Sequence, residues 1–119
     1  MARILIGFAA LAAFAAAASV QSAATPRARA SVQRGLAIAQ QHCAGCHALA
    51  VNAASPNPEA PSFEAIANAP GVTAPSLRRF LRDSHNYPAA MNFTIKRAHI
   101  RDLADYTLTL RRPGYKPDI

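Results

Sequence analysis

Cys43-Ala44-Gly45-Cys46-His47 contains both cysteines of this 119-residue chain and one of its four histidines. Two thiols three residues apart can lie on one side of a helical turn, where they can form thioethers with the two vinyl groups of one haem. The histidine that follows then projects toward the iron as an axial ligand. The spacing therefore predicts one haem c, covalently attached through Cys43 and Cys46, with His47 on the iron.

Three other kinds of site use cysteines at this spacing, and each fits the sequence less well. A thioredoxin-like redox pair needs a preceding strand within a βαβ unit, whereas residues 32–39 have helical spacing. A structural zinc site needs a fourth ligand, and His85 and His99 do not have the spacing of a zinc-binding pair. A disulfide leaves the adjacent histidine unexplained. Haem attachment is therefore favoured.

Residues 1–24 have the features of a secretory signal peptide. Arg3 precedes an apolar run from Ile4 to Ala18, and Ser22-Ala23-Ala24 is a small-residue cleavage signature. The run of 15 residues is shorter than the roughly 20 that a membrane-spanning helix needs. We therefore predict cleavage, export to the periplasm and no stable membrane insertion. Export agrees with the motif, because haem is joined to such motifs on the far side of the membrane.

Removal of residues 1–24 would leave 95 residues with a net charge of +6. A domain this short buries a limited core, and a haem would give its helices a large apolar surface on which to pack. The positive charge favours acidic partners. We expect redox proteins with acidic docking surfaces as partners, in transient complexes with a monomer, and no nucleic acid.

The periodicity predicts an all-α domain over residues 31–112, between a flexible mature N-terminus at 25–30 and a C-terminal tail at 113–119. No stretch has the alternation typical of a strand. Three main helices and one short helix are predicted. The first is capped by Ser31 and ends near the motif, and the short second helix runs from Phe63 to Asn68. The third runs from its cap Thr73 to about Ser84. The last is capped by Thr94 and runs from Ile95 to about Arg111.

Two further features of the chain favour a cofactor enclosed by helices. Five of the nine prolines lie between Asn52 and Pro75, and the long loops that they indicate are explained if the chain wraps a planar group. Gly35, in the middle of the first helix, costs about 1 kcal/mol relative to alanine. Close approach of another helix would explain it.

Met91 is the best candidate for the second iron ligand. It is the only methionine after removal of Met1, and it lies 44 residues after His47 in a loop before the last helix. A thioether opposite histidine favours ferrous iron and raises the reduction potential. His85, in the same loop, is the competing ligand, and bis-histidine coordination would lower the potential.

From Val32 to Leu110 the chain resembles the class I cytochromes c, which are small monohaem electron carriers. Cys43, Cys46 and His47 match the family's haem motif. Gly35 matches the glycine of its first helix, and Leu103 and Tyr106 match the last helix, whose aromatic residue packs on that glycine. The resemblance implies a cytochrome c-like fold, with these helices and long loops wrapped around one haem.

The resemblance also implies roles for two loop residues. In the family, a proline carbonyl after the motif binds the proximal histidine, and Pro61 is the matching residue here. Met91 matches the distal ligand, although Asn92 follows it where many members have proline. The chain also has no tryptophan to bind a propionate, a place that Tyr87 is proposed to take.

Together these patterns predict a periplasmic one-electron carrier, cycling haem iron between Fe(II) and Fe(III) with His/Met ligation, and not an enzyme. The candidate docking charges are Arg78, Arg79, Arg82, Lys96 and Arg97. Two alternatives stay open. The chain is an electron-transfer subunit of a larger dehydrogenase or oxidase, or it is a haem peroxidase or gas sensor whose Met91 ligand is labile.

Overall fold

The computed structural model describes residues 24–83 and 94–116. These two ranges contain four helices and no strand, which confirms the all-α prediction for them. The helices are α1 Pro26–His42, α2 Phe63–Asn68, α3 Ala74–Arg82 and α4 Arg97–Leu108. Met91, His85 and Tyr87 lie outside the described residues, as does all but the last residue of the predicted signal peptide.

Helix α1 begins six residues earlier than the sequence pattern predicts, because its N-cap is Thr25 and not Ser31. The Thr25 hydroxyl accepts the Ala28 N–H at 3.3 Å, and Pro26 occupies the first turn, where its missing N–H is not needed. Ser31 is therefore not the cap. It lies inside the helix, 4% exposed, and its hydroxyl donates to Asp102 Oδ1 at 2.6 Å. Residues 26–30 are helical rather than irregular, and because residues 26–29 are exposed this turn has no apolar periodicity.

Helices α2 and α3 follow the predicted signals closely. The predicted bounds of α2 are confirmed, and the Ser62 side chain caps the helix by accepting the Ala65 N–H at 3.1 Å. Thr73 caps α3 as predicted, in a reciprocal box with Ser76. Strong local side-chain caps define both starts.

Helix α4 is shorter at both ends than predicted. Its N-cap is Lys96, without a side-chain cap, so the prediction of Thr94 was wrong. After Leu108 the backbone tightens, since the N–H groups of residues 109–111 each bond to the carbonyl three positions earlier, at 3.0 to 3.3 Å. Bonds of this type end an α-helix in a narrower turn.

Helices α1 and α4 cross at Gly35, and the predicted close approach is confirmed. A Cβ on Gly35 would lie 2.6 Å from the carbonyl carbon of Asp102 and 2.7 Å from Tyr106 Cβ. Beside the crossing, the Arg34 guanidinium donates to both carboxylate oxygens of Asp102, at 2.6 and 2.9 Å. The crossing thus combines backbone proximity with an ion pair.

The main core cluster is small and surrounded by partly exposed apolar side chains. Its buried members are Ala39, Phe63, Leu103 and Tyr106. The partly buried residues packed on it are Val32, Leu36, Ile38, Cys43, Leu49, Ile66, Leu81, Ile95 and Leu110. None of the helices in the described ranges has the length and apolar character to cross a membrane.

Candidate functional site

The Cys43–His47 motif forms a turn at the end of α1. The Cys43 N–H donates to the Ala39 carbonyl at 2.8 Å, and the His47 N–H donates to the Cys43 carbonyl at 2.9 Å. Both cysteines are free thiols; Cys43 is half-buried and Cys46 is exposed. Cys43 packs on the core cluster, so one thiol faces the apolar interior while the other lies at its edge.

The surroundings of Cys43 keep it a thiol at neutral pH. Burial, and after it the neighbouring charge of Cys46, raises the pKa of Cys43 to about 11. Cys43 also follows the C-terminus of α1, where the helix dipole disfavours a thiolate. A thioredoxin-like nucleophile needs a lowered thiol pKa and a helix N-terminus. These features weigh against a thiol-exchange site.

His47 is held by the loop that follows the motif. Its Nδ1 lies 2.7 Å from the carbonyl oxygen of Pro61. A carbonyl oxygen only accepts, so Nδ1 donates and Nε2 of the neutral ring has the free lone pair. Metal-binding histidines are oriented in this way, by a second-shell acceptor on the other ring nitrogen. The contact that the family resemblance implies between these two residues is therefore present.

Backbone hydrogen bonds attach this loop to the motif at several points. The Phe63 N–H donates to the Ala48 carbonyl at 2.9 Å, and the Asn57 N–H donates to the Cys46 carbonyl at 3.2 Å. The Ser55 hydroxyl accepts the Ala48 N–H at 3.1 Å. Pro61 is thereby brought next to His47, although the two are 14 residues apart.

Leu103, Tyr106 and Gly35, which the family resemblance predicts to support a haem pocket, lie in or beside the buried cluster on which Cys43 packs. Leu103 and Tyr106 belong to the same buried cluster, and Tyr106 packs at the Gly35 crossing. The Tyr106 hydroxyl donates to the Leu49 carbonyl at 2.6 Å, just after the motif, and burial raises the pKa of this phenol. The last helix is thus tied to the segment that follows His47.

The donor set and its surroundings fit a covalently attached haem. Two free thiols flank one turn, and the adjacent imidazole has Nε2 available for a metal. Cys43 packs on the core cluster together with other partly exposed apolar side chains, which is the kind of apolar surface that a haem needs. Within residues 24–83 and 94–116, no three His, Cys, Asp or Glu side chains come together as a metal site.

Glu64 was not foreseen from the sequence. It is 4% exposed; its Oε2 accepts the Asn52 N–H at 2.7 Å, and its Oε1 lies 2.5 Å from Arg112 Nε in an ion pair. It therefore joins the loop after the motif, α2 and the segment after α4. A glutamate in a first helical turn normally faces water, so only the distant Arg112 could have indicated this role.

Of the candidate docking charges, four on α3 and around the start of α4 are exposed. Arg79, Arg82, Lys96 and Arg97 are exposed, and no salt bridge to the described carboxylates involves them. Arg78 fits the docking prediction less well, because its Nε is buried and has no hydrogen-bond partner among the described residues. The acidic residues that form ion pairs in the described ranges are Glu64, Asp102 and Asp105.

Comparison with protein-family models, curated proteins and solved structures found no match to this chain.

Proposed function

We propose that this protein is a monohaem c-type cytochrome of the class I type that carries single electrons in the periplasm. The observation that carries the proposal is the hydrogen bond between His47 Nδ1 and the Pro61 carbonyl, beside two free thiols at haem-attachment spacing. The bond leaves Nε2 as the ligand atom, which neither a disulfide nor a thiol-exchange site needs.

The proposed roles follow from the chemistry of each side chain. Cys43 and Cys46 would hold the porphyrin as thioethers, and His47 Nε2 and Met91 would be the ligands to its iron. When bound, haem supplies a one-electron Fe(II)/Fe(III) couple at a potential set by its ligands and surroundings.

The protein's task in this proposal is to keep the ligand geometry unchanged between oxidation states. Pro61 holds His47 by a backbone carbonyl, and Phe63 and Asn57 fix the loop that carries Pro61. A ligand held by backbone groups needs little rearrangement when an electron arrives or leaves. No catalytic base is required.

Electron exchange is proposed to occur in brief complexes with acidic partners. Arg79, Arg82, Lys96 and Arg97 are exposed and without ion pairs to the described carboxylates, so they are available for docking. Steering by exposed charges weakens as salt screens them. We expect the rate of electron transfer from an acidic flavoprotein to fall with rising salt, and to fall with an Arg79→Glu, Arg82→Glu double variant.

The matched control for that surface is Arg27→Glu, Arg29→Glu, which makes the same change in net charge at exposed positions on α1. Its rate at low salt is expected to stay closer to that of the unmodified protein. Equal losses from both double variants, or a rate independent of salt, would contradict docking through α3.

The decisive experiment is a redox-titrated visible spectrum of the exported protein, purified with its haem-attachment machinery present, together with its intact mass. We expect a mass that includes one covalent haem, a reversible one-electron titration, and a ferrous spectrum of the six-coordinate low-spin type. Met91→Ala should change the ferric ligand signature. A mass without haem would overturn the proposal.

A further inference from the structure

Phe63, the first residue of α2, has ring contacts with both the imidazole of His47 and the phenol of Tyr106. Its ring centroid is 5.7 Å from that of His47, with the planes at 60°, and 6.3 Å from that of Tyr106, with the planes at 48°. Tilted pairs at these distances attract each other. The Phe63 side chain is only 6% exposed, so its ring is enclosed by the core.

The hydrogen bond to Pro61 does not fix the histidine ring completely. It places Nδ1, but such bonds tolerate a broad range of angles at a carbonyl oxygen. A buried ring against the imidazole limits the remaining tilt and covers part of it from water. Phe63 can do this because its own backbone is bonded to Ala48, the residue after His47, at 2.9 Å.

We infer that Phe63 is a positioning residue that sets the plane of the His47 imidazole and thereby tunes the iron site. The inference rests on the proposed function, in which His47 ligates haem iron. Residues that orient a ligand change the electronic state and the potential of the metal without touching it. Tyr106 also contacts the Phe63 ring and packs at Gly35, so the α1–α4 crossing contributes to holding Phe63 in place.

The test compares haem-loaded Phe63→Leu with the unmodified protein. Leucine keeps an apolar group in the core but removes the ring. We expect altered ferric EPR g-values, a lower reduction potential because water reaches the ligand and favours Fe(III), and exchange of the His47 Nδ1 proton about tenfold faster.

Ile100→Val is the matched control for lost packing. Ile100 is 5% exposed and lies outside the cluster that contains Phe63. This variant should lower the Tm while leaving the g-values, the potential and the proton exchange unchanged. If Ile100→Val shifted the g-values, the potential and the proton exchange as much as Phe63→Leu does, the inference would be overturned. A general loss of core packing would then explain the changes.

The remaining outcomes separate the two proposals. An unmodified protein without covalent haem overturns the proposed function and this inference with it. Haem-loaded Phe63→Leu with unchanged g-values and unchanged proton exchange overturns the inference alone. If the Phe63→Leu protein does not accumulate, Phe63→Met is measured by the same criteria. If neither variant accumulates while Ile100→Val does, Phe63 is needed for folding, and its tuning role is overturned.

Discussion

The α1–α4 crossing and the loop from Ala48 to Ser62 position the same site by different means. The crossing brings two helices together at Gly35, with backbone and Cβ atoms at close-packing distances and an ion pair beside them. The loop is held by single hydrogen bonds to Cys46, His47 and Ala48. Dense packing resists small changes, whereas a loop held by separate bonds depends on each of them and on what it covers.

The largest loss of stability should come from preventing covalent haem attachment. This change tests whether the α1–α4 crossing is stable without the proposed cofactor. We expect a Cys43→Ser, Cys46→Ser variant to be largely unfolded, because the buried cluster is small for a domain of this length. Thermal unfolding followed by circular dichroism checks this against the haem-loaded protein. A cooperative, native-like transition in the variant would show that the crossing and the core suffice without the cofactor.

Gly35→Ala tests the close packing of α1 and α4 directly. The new methyl group would overlap the carbonyl of Asp102, which is backbone and cannot turn aside. We expect a loss of about 3 kcal/mol or more in the free energy of unfolding, measured by denaturant titration.

Gly45→Ala, inside the motif, is the control for Gly35→Ala. A Cβ there meets no atom of the described residues within 4 Å, so we expect a change within about 0.5 kcal/mol. Similar losses from the two variants would mean that close helix approach is not the reason for Gly35.

The ion pair beside the crossing predicts a pH dependence. Hydrogen bonding from Arg34 lowers the pKa of Asp102 against the opposing effect of burial, with a further contribution from Ser31. A carboxyl with a lowered folded-state pKa stabilises the fold above its unfolded value of about 3.9, and that stability is lost as the pH falls through the folded value. We expect Asp102→Asn to have a lower Tm at neutral pH and a smaller further loss between about pH 4 and pH 2.

Asp83→Asn, at an exposed position after α3, should keep the acid profile of the unmodified protein. If Asp102→Asn also kept the acid profile of the unmodified protein, the ion pair would not contribute to the pH dependence of stability at the crossing.

The smallest expected effect concerns the bond that links the two regions. Tyr106→Phe removes the hydroxyl that donates to the Leu49 carbonyl at 2.6 Å but keeps the ring on Phe63. We expect a loss of about 1 kcal/mol in denaturant titration, with the iron ligand signature unchanged.

Tyr115→Phe is the control for Tyr106→Phe, since the described hydrogen bonds include none from the Tyr115 hydroxyl. It should be neutral, with its ring still beside Arg112. An equal loss from both variants would contradict a specific contribution of the Tyr106 bond.

Local signals predicted part of the fold well. The bounds of α2, the cap of α3 and the close approach at Gly35 all follow from side chains near in sequence. The starts of α1 and α4 were misjudged, because Ser31 and Thr94 are capping residue types. Ser31 instead bonds to Asp102 on the other helix, a contact that depends on the crossing.

The candidate site shows the same division between local and distant information. The Cys43–His47 cluster could be singled out because its residues are adjacent, and its assignment to haem stays a prediction. Pro61, which the family resemblance indicated, does contact His47. The position of Phe63 against His47 and the burial of Glu64 depend on the path of the loop between them. Residue spacing along the chain carries no signal for such contacts.

The segment after α4 has a consequence for the order of assembly. Arg111 donates to the carbonyls of Ala67 and Val72, and the Arg112 N–H donates to Asn68 Oδ1. If the chain is exported N-terminus first, as proposed, both cysteines would emerge before these arginines and before α4. The thiols would then be accessible to an attachment enzyme before residues 111 and 112 bond to Ala67, Asn68 and Val72.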